Sequence, residues 1–372
     1  MTNLLIATSI FPPDIGGPAL YAKQLAEEFS RQRIAVAVVT YGKNFLPVSG
    51  YSITGVSRIW PKGLRHLIYA WKVFWQARNA DAILALDSLA AGLPSVLVGK
   101  IFRKKVLIRF GGDFLWEKFV ESGQEPITIT EFYNQGLHKA RGFLNFLITL
   151  VVRQTDNLIF TTNWQKNLFI KYYGLGNAKT AVINNIFEKK GSQLFPYQEN
   201  PKIILWAGRF IRLKNLDFLI KIFKRLLVRD ANLVLELVGD GPEKSAIAAT
   251  IQAEGLGQAV KLGNNLEQKE LFARIQKSYF CILPSISEIS PNFALQCVSF
   301  NKPIVLTQET GIRDQFPGLL YADPLSEDSF FSAAAKLLDK NFYDNYQKYL
   351  SEIRYSKTWP DMAREYLQII CQ

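Results

Sequence analysis

Short apolar runs alternate with helix-length segments along the chain, and the pattern occurs twice, once in each half. In the first half, strand-like runs fall at 4–10, 34–41, 82–86, 106–110 and 157–162. Helical periodicity fills the gaps at 18–31, 64–78, 89–102, 137–154 and 164–173, while 111–136 reads as a long irregular stretch. The second half repeats the theme, with strands at 202–207, 233–238, 260–263, 279–283 and 304–307 and a helix at 215–228 for which Asn215 is the N-cap. Strands separated by helices at this spacing demand parallel pairing with crossover helices. The expected class is therefore α/β, with two Rossmann-like, doubly wound parallel-sheet domains facing a cleft.

Length agrees with that count, because 372 residues exceed one ordinary core and suit two domains. The polar segment 187–201, with Gly191, Pro196 and Pro201, reads as a linker. The expected domains are then 1–190 and 191–358, with a last helix in 359–372 crossing back to the first. No run approaches the roughly 18 apolar residues of a spanning helix, and the opening residues read as a strand without a signal-peptide pattern. Cys281, Cys297 and Cys371 lack a paired spacing, which predicts free thiols in a reducing compartment. The net charge of +12 is uneven: residues 1–190 hold 23 Lys and Arg against 12 Asp and Glu, whereas 191–372 hold 21 against 20. An anionic partner for the first half follows. Nucleic acid ranks last among such partners, because no DNA- or RNA-binding motif accompanies the cations.

The chemistry-bearing residues fall at the carboxyl ends of strands, where ligands bind in such sheets. Gly16-Gly17-Pro18 joins the first strand to the first helix, either as a turn that lets a phosphate approach the helix N-terminus or as a tight connection alone. The absence of Gly-x-Gly-x-x-Gly gives no support to a redox cofactor, and no cofactor is expected. Arg209 and Lys214 follow the first strand of the second half, with Arg212 between them as a competing contact. A guanidinium and an ammonium suit a diphosphate. Glu288 precedes Ser290-Pro291, read as the N-cap and first turn of a helix through Phe300. The amides of Asn292 and Phe293 are then open to phosphate, and Gln296 lies about two turns into the helix, able to donate to and accept from ribose hydroxyls. Paired cations at one strand end and a carboxylate at another fit a ligand with both a diphosphate and a ring of hydroxyls.

Taken in order, Gly16-Gly17, Gly208-Arg209 with Lys214-Asn215, Val238 through Glu243, and Pro284-Ser285 through Pro303 resemble the retaining glycosyltransferases of family four. The likeness extends over roughly residues 3–370 and implies the GT-B architecture. It implies that Arg209 and Lys214 bind the donor diphosphate, that Glu288 contacts the donor sugar, and that Gly239 belongs to the same cradle. It also implies that Gly263, Asn264 and Asn265 lie where the nucleotide base is held. The chain departs from the family at Gln296, where the pattern has a second carboxylate, and at Pro291, where glycine is common. The family's histidine near the reacting carbon is also missing, since neither His66 nor His138 follows a strand. Asp113 either faces the sugar in its place or caps its loop, with Glu117 and Glu131 as weaker alternatives.

The implied reaction moves a sugar from a nucleoside diphosphate to an acceptor hydroxyl with retention. Without an Asp-x-Asp pair, no metal is expected. A nucleotide-sugar epimerase and a non-catalytic binding subunit are the competing readings. The basic aromatic segment 65–75 and the cations of 100–105 suit a membrane surface, or else a core-facing stripe with a solvated back. The expectation is a cytoplasmic protein at the inner face of the membrane, acting on a lipid-linked or cell-envelope glycan.

Overall fold

The computed structural model describes residues 3–14, 16–43, 45–140, 142–191 and 196–372. The chain divides into two compact units: one holds residues up to Leu115, 136–186 and 357–372, the other 116–135 and 187–356.

The first unit is a parallel sheet, seven-stranded among the described residues. It comprises β1 (Asn3–Ala7), β2 (Ala35–Tyr41), β3 (Tyr51–Val56), β4 (Ala82–Ala85), β5 (Lys105–Phe110), β6 (Asn157–Phe160) and β7 (Thr180–Val182), in the order β3-β2-β1-β4-β5-β6-β7. Central strands such as LLIA and AILA are apolar on both faces because helices cover both. Helices α1 (Gly17–Arg31), α2 (Lys62–Ala77) and α3 (Gly92–Phe102) connect the strands up to β5. α4 (Phe114–Glu121) and α5 (Ile129–Asn134) then belong mostly to the other unit, and α6 (Leu137–Ala140), α7 (Gly142–Gln154) and α8 (Asn163–Tyr173) return to the first. The strand order reverses after β3. Right-handed crossovers therefore put α1 on one face and α2, α3 and α7 on the other.

The second unit is a parallel sheet, six-stranded among the described residues: β8 (Lys202–Ala207), β9 (Leu233–Val238), β10 (Val260–Gly263), β11 (Phe280–Leu283), β12 (Ile304–Thr307) and β13 (Leu320–Ala322), ordered β10-β9-β8-β11-β12-β13. α9 (Leu216–Arg229), α10 (Lys244–Ala253), α11 (Gln268–Lys277), α12 (Asn292–Ser299), α13 (Glu327–Lys336) and α14 (Lys340–Glu352) surround it. Its own core includes Trp206, Phe223, Phe280 and Tyr343.

α15 (Trp359–Cys371) packs on α1 in the first unit. Met362, Ala363 and Tyr366 are buried there, and the Tyr366 and Tyr21 hydroxyls hydrogen-bond at 2.8 Å. The segment 116–135 differs from the sequence reading, which kept it in the first half and called it irregular. It carries two helices and packs in the second unit. Phe187, read as the start of the linker, is a buried core residue stacked near Phe316 and Tyr355. The cysteine expectation holds chemically, since Cys281, Cys297 and Cys371 are free thiols, the first two buried.

Candidate functional site

In the second unit, the ends of β8, β9 and β10 are stitched together by backbone. Gly208 N–H donates to Val238 O at 3.0 Å, Phe210 N–H to Asp240 O at 2.9 Å, and Gly239 N–H to Gly263 O at 3.4 Å. Gly239, at φ 145°, could not carry a side chain, because a Cβ there would lie 1.8 Å from Gly208 O. Lys244, which sequence reasoning did not single out, locks this edge. Its Nζ donates to Gly239 O and Gly263 O, each at 3.1 Å, and to Asn264 Oδ1 at 2.8 Å. Gly239, Gly263 and Asn264 are thereby brought together, and Asn264 is oriented by an internal partner.

After β8 the chain leaves Arg209 exposed, then makes a 3-10 turn, Arg212–Lys214, that ends at Asn215 with φ 58°. Asn215 occupies the N-cap position of α9 but does not cap it. Its side-chain N–H donates to Pro324 O at 3.0 Å instead. The turn directs Lys214 onto Glu288: Nζ lies 2.5 Å from Oε1, with both side chains largely buried. Ser285 Oγ donates to the same oxygen at 2.6 Å. Oε2 of Glu288 has no hydrogen-bond partner among the described residues. The backbone of Glu288 is clamped as well, its N–H donating to Glu309 O at 2.8 Å and its carbonyl accepting from Gly311 at 3.0 Å. A charge-assisted pair held from several sides is rigid, so its geometry is set before any ligand arrives.

The segment 116–135 supports this pair. Glu121 Oε1 accepts from Leu213 N–H at 3.1 Å, beside Lys214, and Ser287 Oγ accepts from Ile129 N–H at 2.9 Å, beside Glu288. Thr130 hydrogen-bonds the carboxyl of Glu309, a group that burial nonetheless pushes above the usual carboxylate range. A Cβ on Gly123 would sit 3.1 Å from Arg212 Nη1, so Arg212 lies against this segment. Glu117 and Glu131 lie on α4 and α5 themselves.

α12 begins one residue later than its sequence signature suggested. Pro291, not Ser290, occupies the N-cap position without a side-chain cap, because a proline ring has no oxygen to accept from the first helical amides. Asn292 is exposed, Phe293 is buried, and half-buried Gln296 is the fifth helical residue, a little over one turn in rather than two.

In the first unit, Gly16 forms the N-cap of α1 at φ 143° and Gly17 opens the helix. Asp14, just before them, is gripped by Arg58 at 2.8 and 2.5 Å. Asp113 is buried between β5 and α4. Three neighbours of these strand ends were given no role in the sequence reading. Asp87, past β4, is half-buried and accepts from Ala91 N–H at 2.8 Å. Burial pushes its carboxyl above the usual range despite bonds from Ala91 and Ser9. Arg109 is buried over the Tyr21 ring at 3.9 Å and donates to Asn185 Oδ1 at 2.7 Å. His66 follows no strand, as read, but its side chain reaches the end of one: its Nδ1 meets the hydroxyl of Tyr41, the last residue of β2, at 2.7 Å. Burial, with Arg65 and Lys62 nearby, lowers its pKa. His138 is buried among Tyr172 and Tyr173. Among the described residues, no group of three or more His, Cys, Asp or Glu is placed to hold a metal ion.

Comparison with known proteins gives this arrangement a context. Residues 15–188 match the family model described as Glycosyltransferase Family 4, and residues 188–356 match Glycosyl transferases group 1. Two uncharacterised glycosyltransferases of Methanocaldococcus jannaschii are similar in sequence. One is 25% identical over 239 residues, 61% of this chain and 55% of its own. The other is 22% identical over 324 residues, 85% and 83% respectively. The chain thus spans about half the length of the first relative. Among solved structures, Anabaena HepE in complex with UDP and glucose is similar over 100% of both chains, with a TM-score of 0.75 at 15% identity. That likeness is one of fold.

Proposed function

The chain belongs to the GT-B-fold glycosyltransferases related to family 4 and to group 1, and on that premise we propose that its second unit holds a nucleoside-diphosphate sugar with Arg209, Lys214 and Glu288. The observation that carries the reading is the Lys214–Glu288 pair at 2.5 Å, fixed by Ser285 and presented at the carboxyl edge of the sheet. HepE, of the same fold, was crystallised with UDP and glucose.

In this reading the two cations take the diphosphate. As the bond from the anomeric carbon to the phosphate oxygen breaks, negative charge grows on the departing group. Arg209 and Lys214 stabilise that charge more than they stabilise the ground state. Glu288 keeps Lys214 oriented through Oε1 and offers Oε2 to a sugar hydroxyl. The acceptor oxygen bonds the anomeric carbon on the face that the phosphate leaves, and its proton passes to the departing phosphate oxygen, so the configuration is retained and no side-chain base is needed. The amides of Asn292 and Phe293 face phosphate, Gln296 takes the ribose, and the Gly239, Gly263 and Asn264 edge takes the base. The reaction proceeds without a metal. The acceptor is a lipid-linked or cell-envelope glycan, handled by a cytoplasmic protein at the inner face of the membrane.

Thermal-shift and hydrolysis measurements across UDP-, GDP-, ADP- and TDP-sugars, with and without EDTA, test this. Stabilisation and slow hydrolysis by one donor, insensitive to EDTA and lost in Arg209→Ala, are expected. Silence across all donors would favour the binding-subunit reading, for which the neutral Gln296 is the specific motive.

A further inference from the structure

α2 is apolar on the face it turns away from the sheet. Tyr69, Val73 and Ala77 are its buried stripe. Leu64, Leu67, Trp71 and Trp75 recur at spacings of three and four and stand opposite them, with Leu67 70% and Trp71 56% exposed. The segment 65–75 thus does carry the core-facing stripe that was one of its two sequence readings, in Tyr69 and Val73, while Trp71 and Trp75 lie on the outward side. The pattern continues sideways. α3 packs against both α2 and α7, and the Phe74 and Phe102 rings, 4.8 Å apart, join the first two. α3 exposes Leu97 and Ile101, and α7 exposes Phe143 and Phe146, at 73% and 60%. Three adjacent helices thus present apolar side chains on one outward side, the kind of clustering that marks an interaction surface.

Its charge narrows the occupant. The segment 59–80 holds Lys62, Arg65, Lys72 and Arg78 and no carboxylate; 88–104 holds Lys100, Arg103 and Lys104, again with none; 136–155 likewise contains no Asp or Glu. A surface that is apolar and aromatic at its centre, fringed by cations and devoid of acids, complements an anionic lipid headgroup layer over acyl chains. Arg78 lies over the Trp75 ring at 4.8 Å, keeping a cation and an indole together at one depth. We infer that the α2–α3–α7 face binds an anionic bilayer surface. This deepens the lipid-linked acceptor reading, and donor binding is followed in parallel so that the two can fail separately.

The full chain is floated with vesicles of phosphatidylcholine alone and of phosphatidylcholine mixed with phosphatidylglycerol, at low and high salt. Flotation with the anionic vesicles at low salt, weakened by salt, is expected. Lys72→Gln with Lys100→Gln lowers the partition coefficient by about fivefold per cation. Trp71→Ser with Phe146→Ser lowers it at least as much. Both variants keep the donor-induced thermal shift of the wild type. Failure to float with anionic vesicles, equal flotation by the Trp71→Ser, Phe146→Ser variant, or a stable dimer that this variant dissociates would overturn the inference. The last outcome would make the face an interface between two copies.

Discussion

Lys214 stands at the end of a one-turn helix whose next residue is left-handed, and its amine reaches a carboxylate 74 positions further along the chain. The residue types at 209, 214 and 288 were legible in the sequence as separate marks. Their contact was not, because it depends on Ser285, on the turn ending at Asn215 and on Glu121 holding the Leu213 amide. Two consequences belong to this scale. Lys214→Ala is expected to lower turnover by about 10²–10³-fold, and Glu288→Gln to remove much of the same effect, so that the double variant is less than additive in a kinetic cycle. Gly239→Ala is expected to cost roughly 3 kcal/mol or more in urea unfolding and to abolish donor stabilisation, since its Cβ would meet the Gly208 carbonyl.

At the scale of elements, central strands were readable because burial on both faces leaves unbroken apolar runs. The edge strands β3, β7 and β13 were not, because β7 and β13 have only three residues each and β3 is half-exposed and carries Ser52 and Gly55. α4 and α5 were hidden because they are short, eight and six residues, and leave too few turns for a helical period to show. Beside β11 and β12, Lys302 donates to Ser278 O at 2.7 Å and burial pulls its amine down to about 8. Its folded pKa lies below the unfolded one. The unfolded chain therefore holds more protons above pH 8, and stability rises with pH from there towards about pH 10, by up to about 1.4 kcal/mol per pH unit. As pH falls through 8, that contribution is lost. Lys302→Met is expected to flatten this slope in denaturant titrations, and an unchanged slope would show that another group sets it.

The molecule as a whole is two units, each with its own parallel sheet and core, and the C-terminal helix belongs to the first. The twofold alternation in the sequence made that plan legible. The crossing of 116–135 into the second unit was not, since few local patterns report a long-range allegiance. A ligand confined to the second unit stabilises that unit by mass action. Calorimetry with a bound donor is accordingly expected to raise the unfolding of residues 187–356 more than that of the first unit, as followed by proteolysis of each. The most direct test of the account is a titration of the wild type, Lys214→Ala and Glu288→Gln with the nucleoside diphosphate and its sugar. The account predicts that the wild type binds both, that Lys214→Ala weakens both, and that Glu288→Gln weakens the sugar-bearing donor more than the bare diphosphate. Equal affinities across the three proteins would contradict it and move the donor away from the Lys214–Glu288 pair.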